Sequence, residues 1–400
     1  MHLSRIRAAR SRKLSGKKIV LGITGSIAAV EAVRLARELV RRGAEVHAVM
    51  SEAATKIIHP YAMEFATDNR VITEITGRIE HVEFLGVDGE ADLLLIAPAT
   101  ANTIAKIASG IDDTPVTTMA TTALGSGKPV MIAPAMHESM MNNPAIEDAI
   151  ENLKKAGIEF IEPRYEENKA KFAEIDKICL QVERKLYRKD LKGKKVVVTS
   201  GPTVEFIDPI RYITNRSSGL MGYEIAVEFW RRGAEVVFVT SKPLEFDLPD
   251  FKTVRIVSVR DMLDASLEEV KNADIFVSAA AAADFVPEKR NSKIKTAEKL
   301  TLELSCAPKI LREVRKVFDG NVIAFKAETG VSEEELERIA LEKMETDKAN
   351  MMVANDVLEK GMGTLDTRVL LITPERKMWV EGLKKDVAEK IVELFISDCL

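Results

Sequence analysis

The sequence predicts an α/β protein made of two doubly wound (Rossmann/flavodoxin-like) domains with mainly parallel sheets. Two observations carry this. Short, unbroken apolar runs alternate with helix-length stretches along the chain, the pattern of parallel strands covered on both faces. The frame is also written twice. A basic lead enters an apolar strand in SGKKIVLGITG and again in LKGKKVVVTSG, and each copy runs through a helix into the same six residues, RRGAEV, at 41–46 and 231–236.

Strands are expected over 18–23, 45–50, 93–97 and 130–133, with helices over 28–42 and 102–109 between them. The series restarts with strands over 195–200 and 235–240 around a helix at 223–232, then continues with strands over 275–279, 322–327 and 351–354. RRGAEV reads as scaffold. The arginine pair closes a helix at its negative end, Gly43 and Gly233 permit a left-handed turn, and Ala-Glu-Val opens the next strand.

At 400 residues the chain should hold about two domains, at ~150 residues each. The charged stretch ERKLYRKDLKGKK places the boundary between 17–188 and 189–400, with 1–16 as a basic arm, solvated and partly frayed. Hydrophobic content of 46% and charged content of 30% describe an ordinary globular protein, and a net charge of −4 argues against a nucleic-acid surface. No apolar run approaches the ~20 residues of a membrane span, and no apolar leader core precedes residue 19. The three cysteines, Cys179, Cys306 and Cys399, have neither metal spacing nor a disulfide framework, which points to a reducing cytoplasm. All five histidines lie in the first half, so the second half must work without one.

Ligands of doubly wound sheets sit at the carboxyl ends of the strands. Those loops are where the two copies diverge: a tight GITGSIAA against the long TSGPTVEFIDPIRYITNRSSGLMGYEIA. In the first, Gly22 and Gly25 allow a sharp turn, and Ser26 offers a hydroxyl at a helix start suited to phosphate. In IAPATANTIAKIASGIDD, Thr100, Asn102 and Thr103 crowd one helix start, more polar groups than a cap requires.

GITGSIAA, APATANTIAK…GIDD and APAMHESM resemble the flavin-dependent cysteine decarboxylase family, whose fold is a flavodoxin-like sheet assembled as trimers. The resemblance implies FMN held by Gly25, Ser26, Ile27, Ser51, Thr100, Asn102 and Thr103, with His81 in RIEHVEFLG as the catalytic histidine. Two departures stand out. His137 occupies the place of the family's carboxylate-binding asparagine, and from there is expected to bind the substrate carboxylate as a cation. The flap EPRYEENKAKFAE lacks the family's proton-donating cysteine; Arg164 stands about there, and Cys179 lies further along on an apolar helix face.

GPTVEFIDPIRYITNRSSGLMG resembles the phosphopantothenate–cysteine ligase family. That likeness implies Asn215 at an acyl-cytidylate intermediate. It also implies CTP bound by Ser217, Ser218 and Gly219, by Ser278, Ala279 and Ala280, by Asp284 (directly or through Mg²⁺), by Lys293, by Pro308, Lys309 and Ile310, by Phe325 and by Lys343. Where a second family lysine stands, four residues after Lys343, this chain has Asp347, with Lys348 beside it.

Together the two likenesses imply a bifunctional enzyme of coenzyme A biosynthesis. The second half would join L-cysteine to 4′-phosphopantothenate with CTP and Mg²⁺. The first half would decarboxylate 4′-phosphopantothenoylcysteine to 4′-phosphopantetheine with FMN. The implied assembly is a homo-oligomer of trimeric first domains and dimeric second domains, up to a dodecamer. The alternative classes are a flavin prenyltransferase-like flavoprotein, or an FMN-binding regulatory subunit with a degenerate decarboxylase site.

Overall fold

A computed structural model describes residues 3–166, 169–241, 249, 251–296, 300–358 and 360–400. The chain divides into two compact units, Met1–Tyr187 and Arg188–Leu400.

The first unit contains a five-stranded, all-parallel sheet. Its strands are β1 (Lys18–Ile23), β2 (Glu45–Met50), β3 (Leu93–Ala99), β4 (Val130–Pro134) and β5 (Glu159–Phe160), in the order β2-β1-β3-β4-β5. All seven residues of β3 are buried, as expected for a central strand covered on both faces. Helix α1 (Ala32–Arg41) packs its Leu35, Ala36, Leu39 and Val40 face into one core layer, and α2 (Ala101–Ala108) and α3 (Pro115–Gly125) close the other. The helix expected from residue 28 begins instead with a tighter 3-10 turn, Ile27–Glu31, capped by Ser26.

The N-terminal segment is not a frayed arm. Leu3 and Leu14 are buried in the core. Arg10 bridges Glu38 of α1 at 2.9 Å and Asp176 of α4 (Ile175–Leu186) at 3.0 Å. Arg10 is held on the fold by acidic partners from two helices.

The second unit contains an eight-stranded sheet. In chain order its strands are β6 (Lys195–Ser200), β7 (Glu235–Thr240), β8 (Lys252–Arg255), β9 (Ile275–Ser278), β10 (Asn321–Glu328), β11 (Met351–Asp356), β12 (Asp366–Ile372) and β13 (Lys377–Leu383). They run β8-β7-β6-β9-β10-β11-β12-β13, the first six parallel and the last two an antiparallel extension. Helix α5 (Leu220–Arg231) follows β6, and the C-terminal helix α6 (Lys384–Cys399) packs on it through Phe395 against Phe229. The hairpin β12–β13 lies beyond the parallel series read from sequence. It forms because Val369, Leu370, Leu371 and Ile372 continue the buried layer over the edge of β11.

RRGAEV has the same backbone in both units: Gly43 and Gly233 adopt φ of +103° and +98°. The second arginine of each copy does more than close a helix. Arg42 is buried and pairs with Glu183 at 3.0 Å and Asp176 at 2.7 Å, both on α4. Arg232 is buried and pairs with Glu228 of its own helix at 2.9 Å and Asp190 at 3.0 Å.

Candidate active sites at the strand ends

In the first unit the strand order reverses between β1 and β3, and the candidate residues gather at that switch point. Ser26, Ser51 and Thr100 are the N-caps of the helical segments that follow β1, β2 and β3. Three helix starts on adjacent strands thus point the same way, an arrangement suited to a phosphate and a polar ring. Thr24, not singled out from sequence, locks the cradle: its hydroxyl donates to Pro98 O at 2.8 Å and accepts from Thr100 N at 2.9 Å. Ser26 Oγ donates to Ala135 O at 3.1 Å, tying in the loop after β4. A Cβ on Gly25 would lie 2.5 Å from Ala53 Cβ, so only glycine lets the first two loops approach this closely. Thr103 packs beneath Thr100, whose hydroxyl donates to it at 3.1 Å, while Asn102 and Ile27 stay exposed. These residues fit a flavin mononucleotide: neutral donors, a glycine turn and helix N-termini, with no side-chain carboxylate among Ser26, Ser51, Thr100, Asn102 and Thr103 to repel the phosphate.

His81 sits in the first turn of the short helix Glu80–Leu85, entered through Ile79 at φ +52°. Its Nδ1 is buried and has no hydrogen-bond partner among the described residues. No hydrogen bond joins it to the Ser26–Ser51–Thr100 group among those residues.

His137 departs from its expected role. It is exposed and is the N-cap of the helix Glu138–Met141, Nδ1 accepting from Ser139 N at 3.2 Å. That contact engages the Nδ1 side of the ring in capping the helix. Arg164 is engaged with Glu174. Cys179 faces the core beside Arg42; burial pushes its thiol up to about 12 against the pull of that guanidinium, which suits packing and not proton donation at neutral pH.

In the second unit the loop after β6 is a built platform. Val204–Phe206 and Tyr212–Thr214 pair as a hairpin. Asp208, fully buried, accepts from Ile210 N and Arg211 N at 2.8 Å each, from Ile294 N at 3.1 Å and from Arg211 Nη1 at 2.8 Å. Burial alone would raise its pKa; the three backbone N–H groups and the guanidinium outweigh that and hold it at about 2. Through Ile294 it anchors the strip carrying Lys293 and Lys295, both exposed. Thr203 Oγ1 accepts from Ala283 N at 3.0 Å, and Asn215 Nδ2 donates to Ala281 O at 2.9 Å and Ala282 O at 3.2 Å. Asn215 therefore staples this loop to the segment after β9.

Beyond the staple, α5 starts at Gly219, φ +78°, where Ser217 Oγ accepts from Gly219 N and Ser218 Oγ from Leu220 N. A Cβ on Gly222 would meet Ser200 Oγ at 2.6 Å. A cavity of about 160 Å³ opens here. Ser217, Ser218, Gly219, Ala279, Ala280 and Phe325 line it.

The remaining sequence-read residues are placed elsewhere. Ser278 ends β9. Asp284 is exposed and paired with Lys309. Pro308 precedes that lysine, and Ile310 is buried in the core. Lys343 is bound to the buried Asp347 at 2.7 Å, so the missing family lysine has become the acidic partner of its neighbour. Lys348 turns the helix end at φ +49°. Among the described residues no cluster of three or more His, Cys, Asp or Glu could hold a metal. The cavity is completed by residues the sequence did not flag: Asn355, Thr367 and Lys384, brought in by β11, β12 and α6.

Fold and sites define a tandem of doubly wound α/β units, each with a ligand cradle at its strand ends. Residues 7–187 match the family described as Flavoprotein, and residues 191–398 the family described as DNA/pantothenate metabolism flavoprotein C-terminal domain. The chain is 53% identical over 398 residues, 98% of its own length and 97% of the relative's, to the coenzyme A biosynthesis bifunctional protein CoaBC of Thermococcus kodakarensis. It is 40% identical to the protein of that name from Methanocaldococcus jannaschii, over 98% of this chain and 97% of the relative. Among solved structures, the C-terminal domain of a CoaBC protein is 33% identical, with a TM-score of 0.44, covering 52% of this chain and 97% of that one. The chain belongs to the CoaBC family of bifunctional coenzyme A biosynthesis proteins.

Proposed function

We propose that the protein catalyses two consecutive steps, CTP-dependent ligation of L-cysteine to 4′-phosphopantothenate and FMN-dependent decarboxylation of the product. The carrying observation is that both family matches, the flavoprotein and the pantothenate-metabolism C-terminal domain, occur in one chain along nearly its whole length, each on its own compact unit. No helix among the described residues is long and apolar enough to cross a membrane, in keeping with small soluble substrates. A reducing cytoplasm suits a product that carries a free thiol.

In the second unit, a carboxylate oxygen of phosphopantothenate attacks the α-phosphorus of CTP and pyrophosphate leaves. The cysteine amine then attacks the acyl carbon and CMP leaves, a far better leaving group than oxide. The chain's part is positional. Asn215 staples the two loops that flank the reacting groups, and Ser217, Ser218 and the α5 N-terminus meet phosphate oxygens. Lys293 is held ready by the Asp208 anchor. Mg²⁺ would arrive with the nucleotide, with Asp284 as the nearby carboxylate once Lys309 turns to phosphate.

In the first unit, bound FMN would supply the reversible two-electron oxidation and reduction that decarboxylation of the cysteine adduct needs. Ser26, Ser51, Thr100, Asn102 and Thr103 hold and orient the cofactor. His81, whose Nδ1 has no partner among the described residues, positions the substrate carboxylate. Exposed Ile27, Val30 and Val87 supply apolar surface that trimer formation would cover.

The test follows both products from the full-length protein. Wild type should form phosphopantothenoylcysteine with CTP and then release CO₂. His81→Asn should retain flavin and ligation but accumulate the uncarboxylysed intermediate. Normal CO₂ release by the flavin-loaded variant would remove His81 from the mechanism; absence of ligation in wild type would overturn the two-step reading.

A further inference from the structure

Lys384 is the first residue of α6 and one of the residues lining the second-unit cavity, and it is only 4% exposed. Its surroundings are wrong for a structural lysine. A helix N-terminus repels a cation, and Leu383 before it provides no side-chain cap. The Nζ has three protons to donate, and among the described residues it finds one acceptor, Thr364 O at 2.7 Å. No carboxylate among the described residues comes within ion-pair distance. Asp366, the charge that acts on it, is shared with Lys360 at 3.6 Å. Burial pushes the ammonium below the ordinary lysine range, with Asp366 pulling the other way.

An uncompensated buried cation is costly, and structures keep one where something else completes it. The cavity wall shows what kind of group that is. It carries the hydroxyls of Ser217, Ser218 and Thr367, the amide of Asn355 and the start of α5, and no acidic side chain. Donors and one cation converge on a space of about 160 Å³, smaller than the ~300 Å³ at which pockets for whole ligands begin, so it takes one end of a substrate.

We propose that Lys384 is a substrate-binding residue that takes a phosphate oxyanion in this cavity. The site itself is argued from the cavity alone; naming its source rests on the ligase reading, which offers two, the phosphate monoester of phosphopantothenate and the triphosphate of CTP.

The test uses the full-length protein with inorganic phosphate as the probe. Both tryptophans, Trp230 and Trp379, lie in the second unit, so their fluorescence reports its unfolding alone. Phosphate should raise the unfolding temperature of wild type and of Lys384→Arg. Lys384→Met, which keeps the apolar stem, should bind phosphate on the order of tenfold or more weakly, as for a lost charge-assisted hydrogen bond. Without phosphate, Lys384→Met should unfold no earlier than wild type, because the change removes an uncompensated charge. If Lys384→Met does not fold, Lys384→Gln against Lys384→Arg makes the same comparison. Pre-saturation with 4′-phosphopantothenate or with CTP then separates the sources: the one that abolishes the phosphate effect owns the site. In the ligation assay the same substrate should show the raised KM, with the KM for cysteine unchanged. Equal phosphate response in wild type and Lys384→Met, or early unfolding of Lys384→Met with unchanged KM values, would overturn the proposal. Failure of wild type to ligate cysteine while the phosphate difference persists would count against the ligase reading and leave the oxyanion site standing.

Discussion

The two units begin alike and end differently. Each opens with a basic-led strand, a helix and RRGAEV, and each turns at a glycine with positive φ. From there the first unit builds the order β2-β1-β3-β4-β5 and puts a tight turn after β1, so that helix starts on three neighbouring strands form the cradle. The second builds six parallel strands plus a hairpin and puts a long loop after its first strand, pinned by Asp208, Thr203 and Asn215. A shared frame constrains only the backbone path. What each unit can bind is decided by the loop that leaves the first strand and by what later elements bring against it.

The sharpest way to break the comparison is through the duplicated arginine. Arg42 and Arg232 hold the same place in RRGAEV but have unrelated partners: Arg42 reaches across to α4, Arg232 back along its own helix and to Asp190. Arg42→Ala should destabilise the first unit by about 3–5 kcal/mol, because it removes the buried guanidinium that pairs with the buried Glu183. The tryptophan-reported unfolding of the second unit should not move. Arg232→Ala should do the reverse. Denaturant titrations read by tryptophan and by flavin release check both; equal response of both units to either change would show that they do not stand independently.

A smaller effect is expected at Asp208. Its folded pKa, about 2, lies below the ordinary ~3.9, so its contribution to the second-unit loop is complete above the ordinary value. That contribution fades as pH falls from about 4 to about 2. Asp208→Asn should remove this acid dependence from the tryptophan signal and, by loosening the Lys293 strip, lower ligase kcat/KM on the order of tenfold to a hundredfold. Decarboxylation should be untouched. An acid titration of the variant identical to wild type would show that the lock lies elsewhere.

The smallest effect belongs to His137. As a helix cap it should be replaceable: Asn caps as well, so His137→Asn should keep stability and decarboxylation, whereas His137→Leu should cost about 1 kcal/mol. Loss of substrate affinity in the Leu variant well beyond its loss of stability would restore a carboxylate-binding role.

Periodicity and punctuation were enough to read much of the molecule. Apolar runs marked β1, β2, β6 and β7 at their observed ends, because parallel strands buried on both faces must be continuously apolar. The motif loops marked the strand ends where the cradles lie, because glycine and hydroxyl residues at a helix start have few other uses. The basic N-terminus was misread because a run of charge looks solvated until its acidic partners are known, and Glu38 and Asp176 are far away in sequence.

The sequence by itself determined the double frame, the strand-end positions of both sites and the family they resemble, since each rests on neighbours along the chain. Only the tertiary structure decided which charges were spent and which were left over. Lys343, Lys309 and Arg164 found carboxylates, Asn215 found two carbonyls, and His137 found a backbone N–H. Lys384, which nothing in KKDVAEK sets apart, was buried against a cavity that closes only when β11, β12 and α6 arrive from the far end of the chain. A charge is satisfied or left open by its neighbours in space, and around the cavity those of Lys384 lie 15 to 167 residues away in sequence.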